Sequence, residues 1–186
     1  SPFAGSLRAC RRGFQHPAGR TDTTAAPIVR HFTATGFVIH DGHVLLHWHP
    51  KVGAWLPPGG HIDENEDPVQ AVLREVLEEA GVRAAIVPTG PDLRLDYPTQ
   101  VSPPFTILIE DIDDPVAGFH QHIDLIYFCR LVGPSGPLNG GWRWVRRSDL
   151  TQRSPLGGED RPAVPPPDDV RALALRAFDA IASEYA

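Results

Sequence analysis

The chain has 186 residues, of which 41% are hydrophobic and 22% charged, the composition of one globular unit with a sizeable core. Its formal net charge of −6 argues against a general nucleic-acid binder, which needs many Lys and Arg contacts to phosphate; a small anionic ligand needs only a local pocket. No apolar run is long enough to span a membrane, and no signal-peptide core opens the chain. Cys10 and Cys129 are the only cysteines and fit no CxxC spacing. They read as free thiols in a reducing compartment, here the cytoplasm. The chain starts at Ser1 and contains no methionine, which suggests a removed initiator or a trimmed start.

Residues 1–28 show no periodicity and carry Arg8, Arg11, Arg12 and Arg20. They read as an irregular N-terminal extension before a domain spanning 29–186. Residues 31–40 alternate as a strand, Asp41-Gly42 makes a hairpin turn, and 43–49 form the return strand. The stretch 55–60 leads toward the next helix and contains Leu56-Pro57-Pro58-Gly59-Gly60, a loop whose prolines and glycines stop regular structure and let backbone approach a ligand. A helix follows. Asp67 is its N-cap, Pro68 its first residue, Gln70 the capping-box partner and Gly81 its left-handed end. Val69, Val72, Leu73, Val76, Leu77 and Ala80 form its apolar stripe.

Further strands are expected over 83–88, 105–109 and 123–131. The connection between the last two opens with the acidic run 110–115. A short strand over 142–145 precedes a turn or short helix at Ser148 and a proline-rich bend over 162–167. Asp168 or Asp169 then caps a last helix with the stripe Val170, Leu173, Ala174, Ala177, Phe178 and Ile181. Strands with two helices and long loops indicate an α+β layered domain.

Glu75, Glu78 and Glu79 fall mostly off the first helix's apolar stripe. Glu75 and Glu79 are four apart and repel each other by a few tenths of a kcal/mol, so folding alone does not call for them. Three glutamates by themselves would read as a solvated helix face. Beside a Gly-Gly loop offering carbonyl oxygens, they form a hard-oxygen donor set suited to Mg²⁺ or Mn²⁺.

These residues carry a resemblance to the Nudix hydrolase family. Its signature G-x5-E-x7-R-E-U-x-E-E-x-G-U, with U aliphatic, is matched by Gly60, Glu66, Arg74, Glu75, Val76, Glu78, Glu79, Gly81 and Val82. Seven fixed residue types at fixed spacing would occur by chance at roughly one in a billion start positions. The resemblance implies the Nudix fold: a mixed β-sheet sandwiched between α-helices, with the box as a loop-helix-loop. It implies a hydrolase that cleaves the pyrophosphate bond of a nucleoside diphosphate linked to another moiety. It implies Glu75, Glu78 and Glu79 as metal-binding and catalytic acids, the Gly59 or Gly60 carbonyl as a further ligand, and Glu66 and Arg74 as structural members of the box. The implied partner is a small phosphorylated nucleotide, with no stable nucleic-acid complex and no membrane; a homodimer is a family habit.

Substrate residues are less sharply marked. His120, His122 and Asp124 alternate on one expected strand and share a face. His122, Asp124 and Glu110 are placed near the substrate, against a bland reading of them as a polar strand face and a solvated acidic loop. Trp55 and Tyr97 are possible base-stacking surfaces, as are Phe105 and Trp142, although aromatics more often pack in the core. Pro98 lies close to where the ADP-ribose branch of the family carries a proline, in the partial match Asp96-Tyr97-Pro98-Thr99. Nucleoside triphosphates and ADP-ribose or nucleotide sugars are the leading substrates, dinucleoside polyphosphates less so. Two other readings compete. A prenyl-diphosphate isomerase of the same fold needs a cysteine in an early core strand, where this chain has none. A non-catalytic nucleotide sensor would not need an intact box.

Overall fold

The computed structural model describes residues 27–158 and 161–183. The expectations for 1–26, including the four arginines and Cys10, lie outside the described residues. The strands are β1 (Arg30–His40), β2 (His43–His49), β3 (Ala54–Leu56), β4 (Gly59–His61), β5 (Ala84–Ile86), β6 (Thr106–Asp114), β7 (Gly118–Leu131), β8 (Trp142–Arg146), β9 (Leu156–Gly158) and β10 (Arg161–Val164). The helices are α1 (Pro68–Ala80), α2 (Arg147–Thr151) and α3 (Asp168–Ser183).

Eight strands form one mixed sheet, with the order β3-β2-β1-β7-β5 and with β4, β6 and β8 pairing β1, β7 and β2. β1 and β7 run parallel, and the other pairings are antiparallel. Both faces of β1 are covered. Ala34 and Val38 pack with Ala71, Val72, Val76 and Ala80 of α1. Phe37 and Ile39 pack with Val170, Ala174, Ala177 and Phe178 of α3. The alternation expected over 31–40 therefore separates two cores rather than core from solvent, and residues 36–39 are all buried.

The hairpin at Asp41-Gly42 forms with positive φ at both residues, 45° and 73°, as the right-handed twist of paired strands favours. α1 takes its expected ends. Asp67 accepts from the Val69 and Gln70 amides, and Gln70 accepts from the Asp67 amide. Gly81 closes the helix at φ 76°. Its stripe differs at one edge, where Leu77 is 44% exposed and Ala71 is buried in its place. The small Ala71 lets the helix sit close to β1, so the packed line runs through Val72, Val76 and Ala80. Gly36 serves the same approach, since a Cβ there would meet Val72 Cγ2 at 2.9 Å.

Three expectations are corrected. The acidic run is no connection: residues 110–114 continue β6, with Glu110 opposite His122 and Ile112 opposite His120. β7 accordingly starts at Gly118, and the turn is held by Asp114, whose carboxylate accepts from the Val116 and Ala117 amides. The proline-rich bend contains β10, which pairs with β9. Asp168 and Asp169 stand in the first turn of α3 and do not precede it, and carboxylates there still complement the helix dipole.

The capping box generates a prediction for α1. Asp67→Ala removes the acceptor for two helix amides and should cost about 1 kcal/mol in urea unfolding. Asp67→Ser should recover most of that. Equal stability of Asp67→Ala and the parent would show that the cap does not hold the helix.

Candidate active site

The expected loop over 56–60 is corrected: Gly59 and Gly60 form β4 with His61, and pairing with β1, Thr35 opposite Gly59 and Ala34 opposite Gly60, lays them against α1. The fit leaves no room for side chains. A Cβ on Gly59 would meet Ala34 O at 2.8 Å, and one on Gly60 would meet Glu75 Oε1 at 2.5 Å. Gly59 donates its amide to Glu79 Oε2 at 3.2 Å. The fold therefore sets two of the three glutamates against β4.

Arg74 organises the rest. Its Nε and Nη2 donate to the two oxygens of Glu66 at 2.9 and 3.0 Å, a bidentate pair. Nη1 donates to Glu75 Oε1 at 2.7 Å and to Glu78 Oε2 at 3.4 Å, and Nη2 also reaches the His61 carbonyl at 3.1 Å. Hydrogen bonding by Glu66, then by Glu75, raises the guanidinium pKa above its usual range. The same bond from Arg74 holds Glu66 below the ordinary carboxylate range.

Glu79 has no such cation. Protein packed around it pushes its pKa up to about 7, with the charges of Glu75 and Glu78 adding to the rise and the Gly59 amide opposing it. Glu79 is exposed at the surface, so the rise comes from protein and like charge crowding one side of a carboxyl that still meets solvent. Glu78 is 62% exposed and meets Arg74 at 3.4 Å, the longest of that guanidinium's hydrogen bonds. At the helix end, Asn139 donates to the Glu78 and Glu79 carbonyls at 3.2 and 3.0 Å. It satisfies two of the carbonyls that a helix terminus leaves unpaired.

Among the described residues, no group of three or more His, Cys, Asp or Glu side chains is arranged to hold a metal ion. The donor chemistry nonetheless fits a hard divalent ion. The acids outnumber the local cation, and Glu79 sits where negative charge is unrelieved.

Beyond the box, Asp124 is 4% exposed and accepts from Thr33 Oγ1 at 3.0 Å and from Thr35 Oγ1 at 2.9 and 3.0 Å. Burial raises its pKa despite those hydrogen bonds. Glu110 is pushed up to about 7, first by protein around its carboxyl and then by Asp124 and Asp169. His122 is 7% exposed, its pKa lowered to about 4 by burial and by neighbouring histidines. Its Nε2 is buried without a hydrogen-bond partner. The His122 ring stands 4.9 Å from that of His61, the residue after Gly60. Glu110, His122 and Asp124 thus gather on one sheet face and reach β4 through His61.

Trp55 is corrected. It is fully buried, donates Nε1 to the Leu156 carbonyl at 3.2 Å and lies under the guanidiniums of Arg143 and Arg161. It is a core residue with no face for a base. Phe105 stacks on Phe128 at 4.3 Å and Trp142 on His47 at 5.0 Å. Tyr97 is 87% exposed and makes no hydrogen bond or ring contact with these groups. His31 and Asn139 carry no local signal that marks them in the sequence as site residues. His61 could have been found as a box position between Gly60 and Glu66, whereas His31 joins the group only through the pairing of β1 with β7. Cys129 is a buried free thiol with its pKa pushed up to about 12 by burial, so it is unreactive.

The NUDIX domain family model matches residues 30–165, and the chain belongs to the Nudix family. It is similar to an RNA pyrophosphohydrolase of Gluconacetobacter diazotrophicus, 52% identical over 110 residues that cover 55% of this chain and 62% of that protein. It is also similar to a bis(5′-nucleosyl)-tetraphosphatase (asymmetrical) of Rattus norvegicus, 31% identical over 85 residues, 42% of this chain and 58% of that one. The chain thus spans less than two thirds of the length of these relatives. A solved NUDIX-family hydrolase from Clostridium perfringens shares the fold with a TM-score of 0.63 and 27% identity, covering 82% of this chain and 98% of that one. Divalent ions are general in the family. Among the described residues, no helix is long and apolar enough to cross a membrane.

The raised Glu79 value has a signed consequence for stability without metal. A carboxyl whose folded pKa lies above its unfolded value stabilises the fold fully below about pH 4.5 and loses that contribution as pH rises through about 7. In EDTA, Glu79→Gln should therefore melt higher than the parent at pH 8, and the gap should close toward pH 4. A gap independent of pH would contradict the assignment.

Proposed function

We propose that the chain is a divalent-metal-dependent Nudix pyrophosphohydrolase. It would cleave the phosphoanhydride bond of a nucleoside diphosphate linked to another moiety. The observation that carries this reading is the placement of Glu75 and Glu79 against the Gly59-Gly60 strand, with one arginine serving several acids. In this reading Glu75, Glu78 and Glu79 are the catalytic acids and, with the Gly60 carbonyl, would hold Mg²⁺ or Mn²⁺. When bound, such an ion neutralises phosphate charge and lowers the pKa of the water it carries. Arg74 holds the Glu75 rotamer, and Glu66 anchors Arg74 so that the guanidinium cannot follow the substrate phosphates. Glu79, left without a cation of its own, is the acid with most to gain from the metal.

Nucleoside triphosphates and ADP-ribose or nucleotide-sugar compounds are the proposed substrate types. The relatives' names add RNA and bis(5′-nucleosyl) tetraphosphates, which share a phosphoanhydride attached to a nucleoside. Glu110, His122 and Asp124 are proposed to face the substrate, a reading supported by their shared face and by the contact of His122 with His61. Tyr97 rests only on its place in the chain. The proposal takes 29–186 as the catalytic domain working in the cytoplasm, on a small nucleotide partner, with the homodimer as a family habit.

A phosphate-release screen with Mg²⁺ and Mn²⁺ over these substrates, coupled to a phosphatase, tests the reading. Glu79→Gln should lower kcat on the order of a hundredfold or more while circular dichroism stays unchanged. Near-normal hydrolysis in that variant would overturn the assignment. Nucleotide binding with no release from any substrate would favour the sensor.

A further inference from the structure

Four histidines from three strands meet at one end of the sheet. Parallel pairing sets His31 of β1 beside His122 of β7, and β4 brings His61 alongside β1. Their rings close a four-membered circuit. Centroids are 4.9 Å apart for His61–His122, 5.2 Å for His122–His120, 5.2 Å for His120–His31 and 5.3 Å for His31–His61, with 6.2 Å across from His31 to His122. Packing economy does not explain it: His120 and His122 are 8% and 7% exposed, and the buried His122 Nε2 has no partner. Such an atom costs on the order of 1–3 kcal/mol unless something binds it.

We propose that His31, His61, His120 and His122 bind one borderline transition-metal ion of the Zn²⁺ class. The site shares no donor with the glutamate site, although His61 follows Gly60 and His122 is the residue placed toward the substrate; it stands whether or not the chain is a pyrophosphohydrolase. Imidazoles sharing one tetrahedral ion at a Zn–N distance near 2.0–2.1 Å place every pair of ring centroids roughly 5 Å apart; the four sides of the circuit stand at 4.9–5.3 Å, and the His31–His122 pair has to close from 6.2 Å. The second ring nitrogens agree. His120 Nδ1 hydrogen-bonds the Gly118 carbonyl at 2.9 Å, and a carbonyl only accepts, so Nδ1 carries the proton and Nε2 is left with its lone pair. That is how metal-binding histidines are commonly oriented. His122 offers its Nε2 unpartnered.

As placed, the four rings do not form a group that could hold an ion. His31 and His61 lie exposed on the rim, and the terminal torsion of histidine is broad, so their rings can turn toward an ion already held by the buried pair. Imidazole nitrogen favours Zn²⁺, Cu²⁺ or Ni²⁺ over Mg²⁺, whereas the glutamate cluster favours the hard ion. The two sites therefore sort metals by donor type.

The test is calorimetry of Zn²⁺ binding to metal-stripped protein in saturating Mg²⁺, repeated with Co²⁺ to read the visible absorption of a nitrogen-ligated ion. One equivalent should bind, weakened tenfold or more in His31→Ala and unchanged in Glu79→Gln. The exposed His31 side chain can be removed without opening the core, so this variant decides the question even where a substitution at the buried His120 fails to fold. Absence of a Zn²⁺ site in excess Mg²⁺ would overturn the proposal. So would binding indifferent to His31→Ala, or binding lost in Glu79→Gln.

Discussion

The Arg74 guanidinium joins the parts of the site that come from different places in the chain. It grips Glu66 from the loop with two parallel hydrogen bonds, holds Glu75 on its own helix, touches Glu78 one turn on, and donates to the His61 carbonyl beside the Gly-Gly strand. An acidic cluster on a helix would otherwise splay by repulsion. One planar cation with several fixed donors suppresses this, as a lysine with its single ammonium could not. The loop conformation, the Glu75 rotamer and the approach of α1 to β4 all depend on that group.

Arg74 is engaged with Glu66 and Glu75, and Glu79 is left facing a backbone amide alone. The helix is closed beyond Glu79 by Gly81 and by Asn139, which returns two hydrogen bonds to the carbonyls of Glu78 and Glu79. Both ends of α1 are thus pinned, and the unrelieved charge concentrates at the one place where β4 has no side chains. Closed packing at Gly36 and Gly60 gives the same result from below, since any larger residue would push α1 or Glu75 outward.

What was legible in the sequence follows the range of the interaction. The cap at Asp67, the left-handed Gly81 and the Asp41-Gly42 turn are set by residues within a few positions of one another, and they form as their local signals indicate. The box glutamates lie within one helix, so their mutual placement was also readable. The acidic run at 110–114 misled because charge density reads as loop. Among the described strands β6 pairs only with β7, so Asp111 and Asp113 stay exposed, while Glu110 stands opposite His122 and Asp114 is buried in the turn it holds. Trp55 was read for its ring, which the core claimed. The meeting of His31 with His122 depends on strands 91 residues apart running parallel in one particular register, and no local pattern encodes that.

The central claim is that a divalent ion sits between Glu75, Glu79 and the Gly60 carbonyl. Anomalous scattering from crystals grown with Mn²⁺ and a slowly hydrolysed nucleotide locates the ion directly. The account predicts a peak within bonding distance of those carboxylates, with the phosphate chain against it. A peak held instead by Glu110 and Asp124, with none beside Glu79, would contradict it.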